Sequence, residues 1–182
     1  VAKLWPPLNV AGYNDYIAQI QNVDVVYMAF AGINGLRFIR QYAEFGLQGE
    51  IPLLGGMTSA DESILRNMGD EALGVISSSF YSSELPWPAN VDFVSRMREV
   101  YDVDPGYYAV SAYLEAMVLH AAIDAVGGDT EDKAALMNAL RSVELEDSPR
   151  GYVRFDEYGN VVGNIYIFEV HQKDGRLVNT PI

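Results

Sequence analysis

Short apolar runs alternate with amphipathic segments from the first residue to Tyr101, and that alternation restricts the fold more than any other feature. "VAKLW" reads as a strand and precedes "NDYIAQI", where Asn14 or Asp15 can cap a helix with Tyr16, Ile17 and Ile20 on one face. "VDVVYMAF" is a continuous apolar run, the pattern of a strand buried on both faces. It leads to "INGLRFIRQYAEFG", with Leu36, Ile39 and Ala43 at helical spacing and Gly46 as a stop. "IPLLGG" leads to "SADESILRNMG", where Ser59 and Glu62 have the spacing of a capping box. "LGVISSSF" leads through a Pro-rich loop to "VDFVSRMREVY", with Phe93, Val94, Met97 and Tyr101 on one face. Four strands at intervals of about 20 to 30 residues, with helices between them, imply an α/β fold with a parallel sheet and helices on both faces. Ligands of such sheets bind at the loops beyond the carboxyl ends of the strands.

From Tyr107 the pattern changes. "YYAVSAYLEAMVLHAAIDAVGG" reads as one long helix with Val110, Tyr113, Leu114, Met117 and Ala121 in an apolar stripe. A second helix, "DTEDKAALMNALRSV", has Asp129 or Thr130 as its expected cap. The short strands "GYVRFDEYGN", "NIYIFEV" and "GRLVN" follow, turned at Gly159 and at "KDG".

Composition removes several function classes. The chain has 182 residues, is 49% hydrophobic and 20% charged, and is therefore expected to fold rather than stay disordered. A net charge of −13 opposes binding to a nucleic-acid backbone. With zero cysteines there are no disulfides, no thiol catalysis and no thiolate metal site, a composition that fits an oxidising compartment. No window approaches the ~18 consecutive apolar residues of a membrane span. The opening "VAKLWPPLN" has no initiator Met and no leader pattern, and reads as a processed or truncated product; a signal peptide, if one exists, lies outside this sequence.

The turn "LLGGMTSADES" decides between kinds of ligand. A phosphate loop needs a Lys after its glycines; here the nearest charges are Asp61 and Glu62, which repel anions. The turn is either a capped helix start without a ligand or a wall that lets backbone approach a ligand closely, with Thr58 and Ser59 as hydrogen-bonding groups. Neither His120 nor His171 has the setting of a catalytic base, and no Ser sits in a nucleophile elbow. The "DTED" carboxylates read as helix N-terminal residues rather than a metal site. No catalytic residue, metal ligand or cofactor site is expected, and the chain is read as a non-enzyme. The loops after the strands instead carry Trp5, Phe30, Ala31, Gly32, Met57, Thr58, Phe80 and Tyr81, an apolar rim with a few hydroxyls suited to a small organic molecule.

The order and spacing of "PPLN…DYIAQIQ", "DVVYMAFAG…GLRFIRQYAEFGL", "IPLLGGMTSADESIL", "ALGVISSSFYS", "PANVDFVSRMREVY…DPGYYAVSAYLEAM" and "SPRGYVRFDEYGN…NIYIFEV" resemble the type I periplasmic substrate-binding proteins of ABC importers, in the branched-chain amino acid (Leu/Ile/Val) receptor group. The resemblance implies a two-lobed receptor that closes on its ligand, of which this chain is the C-terminal half. Residues 1–105 would form the second lobe, 106–163 the helices and strand that return to the missing first lobe, and 164–182 the final strands crossing back. It implies an extracytoplasmic, periplasmic location and two partners besides the small-molecule ligand: an ABC permease in the membrane and the missing N-terminal lobe. The apolar face of the helix over 107–126 would then be exposed here, or covered by another copy.

Carried over position by position, the resemblance implies ligand contacts at Phe30, Ala31, Gly32, Met57, Thr58, Phe80, Tyr81 and Tyr108. One departure matters. Leucine-type receptors place an acidic residue at the Gly-Gly turn to meet the ligand's ammonium, whereas this chain has Met57, and a buried ammonium without a partner costs several kcal/mol. An aromatic or apolar carboxylate suits Met57 and Phe30 better, with Asp61 expected to face solvent in the first turn of its helix. A ligand-sensing domain of a regulator or receptor on the same fold is the alternative function, and a small α/β enzyme the third.

Overall fold

In a computed structural model covering residues 1–182 the chain divides into two compact units, Val1–Ser79 with Tyr166–Ile182, and Phe80–Ile165. These boundaries differ from the division at 105/106 and 163/164 expected from the resemblance.

The first unit is built on a five-stranded sheet. Its strands are β1 (Val26–Met28), β2 (Leu53–Gly56), β3 (Ile76–Ser79), β6 (Tyr166–Lys173) and β7 (Arg176–Pro181), in the order β1-β2-β3-β6-β7. The β1/β2 and β2/β3 pairs are parallel, with Val26 beside Leu53 and Leu54 beside Ile76. The β3/β6 and β6/β7 pairs are antiparallel, so the sheet is mixed rather than wholly parallel. The tight β6–β7 turn is set by Asp174 and Gly175, both at positive φ, the backbone that matches strand twist in a two-residue hairpin.

Helix α2 (Ile33–Glu44) connects β1 to β2 and buries Phe38, Ile39 and Tyr42 in the core with Met28, Leu53 and Val170. Gly35 is required on that face, because a Cβ there would lie 2.9 Å from the Ser59 carbonyl oxygen. The helix ends as its sequence dictates. Gly46 has φ +73°, its N–H donates to the Ala43 carbonyl at 2.8 Å, and the Leu47 N–H donates to Tyr42 at 3.3 Å.

Four local expectations are corrected. "VAKLW" forms no strand, so there are three strand-to-helix units and not four, and β1 becomes an edge strand with Tyr27 70% exposed rather than a strand buried on both faces. Helix α1 (Asn14–Ile17) is a single turn whose N-cap is Tyr13, without a side-chain cap. Ser59 does not form a capping box. Asp61 is the cap of α3 (Glu62–Leu65), accepting from the Ser63 N–H at 3.0 Å, and it is only 5% exposed instead of facing solvent.

The second unit holds α4 (Pro88–Tyr101), α5 (Tyr107–Ala125), α6 (Lys133–Arg141) and the hairpin β4 (Arg154–Phe155) with β5 (Val161–Val162). Pro88 opens α4 where its missing N–H costs nothing. Asn90 is fully buried, and its amide donates to the carbonyls of Ser82, Ser83 and Leu85, which fixes the loop before the helix. Phe93 stacks on Tyr113 of α5 at 4.7 Å. The fourth correction is the cap of α6: it is Asp132, which accepts from the N–H groups of Ala134 and Ala135, in place of Asp129 or Thr130. Helix α5 buries Tyr107, Val110, Leu114 and Ala122 but leaves Tyr108, Tyr113 and Leu119 exposed. No helix is long and apolar enough to cross a membrane.

Candidate functional site

In the first unit, parallel pairing brings the ends of β1 and β2 side by side, with Met28 opposite Gly55. The loops that follow are then tied to each other. The hydroxyls of Thr58 and Ser59 both donate to the Phe30 carbonyl, at 3.1 and 2.7 Å, and the Gly32 N–H donates to the Thr58 carbonyl at 3.2 Å. One carbonyl thus fixes two hydroxyls, and the two loops form one hydrogen-bonded rim.

The glycines of the turn have distinct reasons. A Cβ on Gly55 would lie 3.0 Å from both the Met28 methyl and the Ser59 Cβ, so this position must stay bare for β1 and the turn to pack. Gly32, at φ +56°, is the N-cap of α2 and occupies backbone space that side-chain-bearing residues rarely enter.

The structure therefore brings Phe30, Ala31, Gly32, Met57 and Thr58 together, as loop position predicts. Their exposures differ. Ala31 and Gly32 are exposed, and Met57 and Thr58 are half-buried. Phe30 is half-buried too, and its ring lies 4.9 Å from Tyr13 and 5.0 Å from Phe38, so it braces the rim from the core. Burial pushes the Tyr13 hydroxyl above its ordinary pKa, against a smaller opposing pull from Arg37. Both carboxylates of the turn, Asp61 and Glu62, are buried, and that of Asp61 is committed to capping α3.

In the second unit, Phe80 is half-buried, Tyr81 is enclosed in the interior and Tyr108 is 73% exposed. Phe80 and Tyr108 are linked through Tyr107, which meets Phe80 edge-on at 6.4 Å and Tyr108 at 4.2 Å. The guanidinium carbon of Arg150 stands 4.2 Å from the centre of the Phe80 ring. Sequence reasoning missed Tyr107, Arg150 and the structural use of Ser59. The only local signal at Arg150 is its place between Pro149 and Gly151, residues that fix the backbone of a turn. The two histidines sit on the surface beside carboxylates, His120 with Asp124 at 3.3 Å and His171 with Glu169 at 3.4 Å.

The family described as "Periplasmic binding protein" matches residues 1–176. A Leu/Ile/Val-binding protein homolog from Brucella melitensis is 32% identical over 148 residues, which is 79% of this chain and 37% of that relative. An ABC transporter substrate-binding protein from Sphaerobacter thermophilus superposes with a TM-score of 0.90 at 30% identity, covering 97% of this chain and 50% of that one. A solute-binding protein of an ABC transporter from R. palustris, solved with benzoate, gives 0.83 at 30% identity, covering 96% and 47%. The chain thus spans half or less of the length of the relatives it matches.

Proposed function

The chain belongs to the periplasmic binding protein family, and on that premise we propose that it forms part of an extracytoplasmic receptor that delivers a small organic molecule to an ABC permease. The observation that supports this reading is the likeness of nearly the whole chain to about half of a solute-binding protein that holds benzoate. Residues 1–79 with 166–182 then make up most of one lobe. Residues 80–165 belong to the other, whose remainder lies in the half of the receptor that the chain does not span. The crossing point in this proposal is Ser79–Phe80, earlier in the chain than the sequence suggested. Ligand binding stabilises the closed population of the two lobes by its differential affinity.

Ala31, Gly32, Met57, Thr58, Phe80 and Tyr108 contact the ligand in this reading, while Phe30 and Tyr81 support the loops from the interior. The favoured ligand is an aromatic or apolar carboxylate. Met57 offers no charge to an ammonium, and Asp61, the nearest carboxylate, already serves α3. The receptor holds its ligand without chemical change and uses no cofactor.

Thermal melting of the receptor with its other half restored tests this. Benzoate at about 100 times its Kd should add about 2.7 kcal/mol of stability, with leucine and Mg-ATP as comparisons. A benzoate shift without a leucine shift supports both receptor and ligand class. A leucine shift alone overturns the ligand argument, and no shift with any small acid or amino acid overturns the receptor reading.

A further inference from the structure

We infer that Arg150 is a positioning residue that clasps the two ends of the second unit, Phe80 and Gly163, where the chain enters and leaves it. The inference rests on the receptor reading for its purpose, since a clasp at these ends governs how the lobes hinge, but its geometry stands alone.

Phe80 is the first residue of this unit, directly after β3, and Gly163 lies three positions before β6. Arg150 reaches both. Its guanidinium covers the Phe80 ring at 4.2 Å, and a Cβ on Gly163 would lie 3.2 Å from its Nη2 atom and equally 3.2 Å from the Tyr152 carbonyl oxygen, so Gly163 is bare where the guanidinium passes beside the Tyr152 backbone. At 8% exposure the cation is largely removed from water, which strengthens its attraction to the ring face. A planar, weakly hydrated guanidinium can stack on a ring and reach sideways together, and a lysine ammonium cannot.

The base of the clasp is rigid. The Gly151 N–H donates to the Ser148 carbonyl at 2.8 Å, and the Ser148 hydroxyl donates to the Gly151 carbonyl at 2.6 Å. Gly151, at φ +85°, lies so close to Trp87 that a Cβ would sit 3.0 Å from the indole. The backbone of Arg150 is therefore held on both sides.

Inside the first unit the same two chain ends are also held, because Ser79 of β3 pairs with Tyr166 of β6. The two chain ends are thus fastened inside each unit taken by itself, by Arg150 in the second and by the β3/β6 pair in the first.

Backbone ¹⁵N relaxation of the 182-residue chain tests the clasp without any ligand. In Arg150→Met, order parameters at both Phe80–Tyr81 and Gly163–Ile165 should fall from about 0.85 to below about 0.6, with the centre of α5 unchanged. Arg150→Lys should sit between Met and the parent at Phe80 and match Met at Gly163. Phe80→Leu should loosen Gly163, and Gly163→Ala should loosen Phe80, because the Arg150 guanidinium lies against both. The last two variants decide the matter if Arg150→Met fails to fold. Loosening at one end only, no loosening, or an equal loss throughout the unit would each overturn the clasp. Because no ligand enters, a flat result here alongside a benzoate melting shift removes the clasp and keeps the receptor, and the opposite pair of results removes the receptor.

Discussion

Tyr42 carries a pH signature that a single substitution can isolate. Its ring is buried, its hydroxyl donates to the Ile51 carbonyl at 2.9 Å, and burial pushes its pKa up to about 12 from an ordinary 10.0. The folded value lies above the unfolded one, so the contribution of the neutral phenol is complete below about pH 10 and disappears as pH rises through about 12. Tyr42→Phe should cost about 1 kcal/mol at neutral pH, by loss of one hydrogen bond, and should flatten the alkaline decline. Urea titrations at neutral and alkaline pH check this; an unchanged alkaline slope in the variant would assign that decline elsewhere. Gly35 gives a second test. A methyl group placed 2.9 Å from the Ser59 carbonyl must displace the turn that also holds Phe30, so Gly35→Ala should destabilise the chain by about 1–3 kcal/mol. An unaltered melting temperature would show that α2 can shift away from the turn at no cost.

At the scale of elements, helices, turns and the middle strands of the sheet were legible, while caps and edges were not. "TSADES" and "DTED" each offer several residues able to cap a helix, and local pattern cannot choose among them. Ser59 loses the role because its hydroxyl bonds the carbonyl of Phe30, far back in the chain, and Asp61 takes it. In the second case Asp132 holds the N–H groups of Ala134 and Ala135, the second and third residues of α6, while Asp129 accepts only from Glu131 outside the helix. Asp132→Ala should therefore lower stability by about 1 kcal/mol and Asp129→Ala by distinctly less, read from denaturant midpoints. The rim at the ends of β1 and β2 was readable because parallel topology alone gathers those loops. The Phe80–Arg150 contact was not, because it joins residues seventy positions apart that share no periodic pattern. "VAKLW" failed for a different reason. Strand propensity is a preference for a ladder, and these five residues find none.

At the scale of the molecule, two surfaces stand open. At the sheet edge, Tyr27 of β1 and the preceding Val25 are exposed, and α5 leaves Tyr108, Tyr113 and Leu119 exposed. Edges and faces of this kind associate unless covered. The chain alone should form concentration-dependent oligomers in sedimentation velocity, and joining it to the other half of the receptor should abolish them. A chain that stays monomeric at every concentration would show that these surfaces are compatible with water. The return of β6 and β7 to the first sheet has one more consequence, which concerns time. Strand β3 is made well before β6, and it gains its second neighbour only once Tyr166–Lys173 has been added. The contiguous stretch Phe80–Ile165 is complete before that moment. The first unit therefore cannot close its sheet until its last strands join, whereas the second is one contiguous stretch, and until the closing hairpin docks the flank of β3 is open to wrong partners.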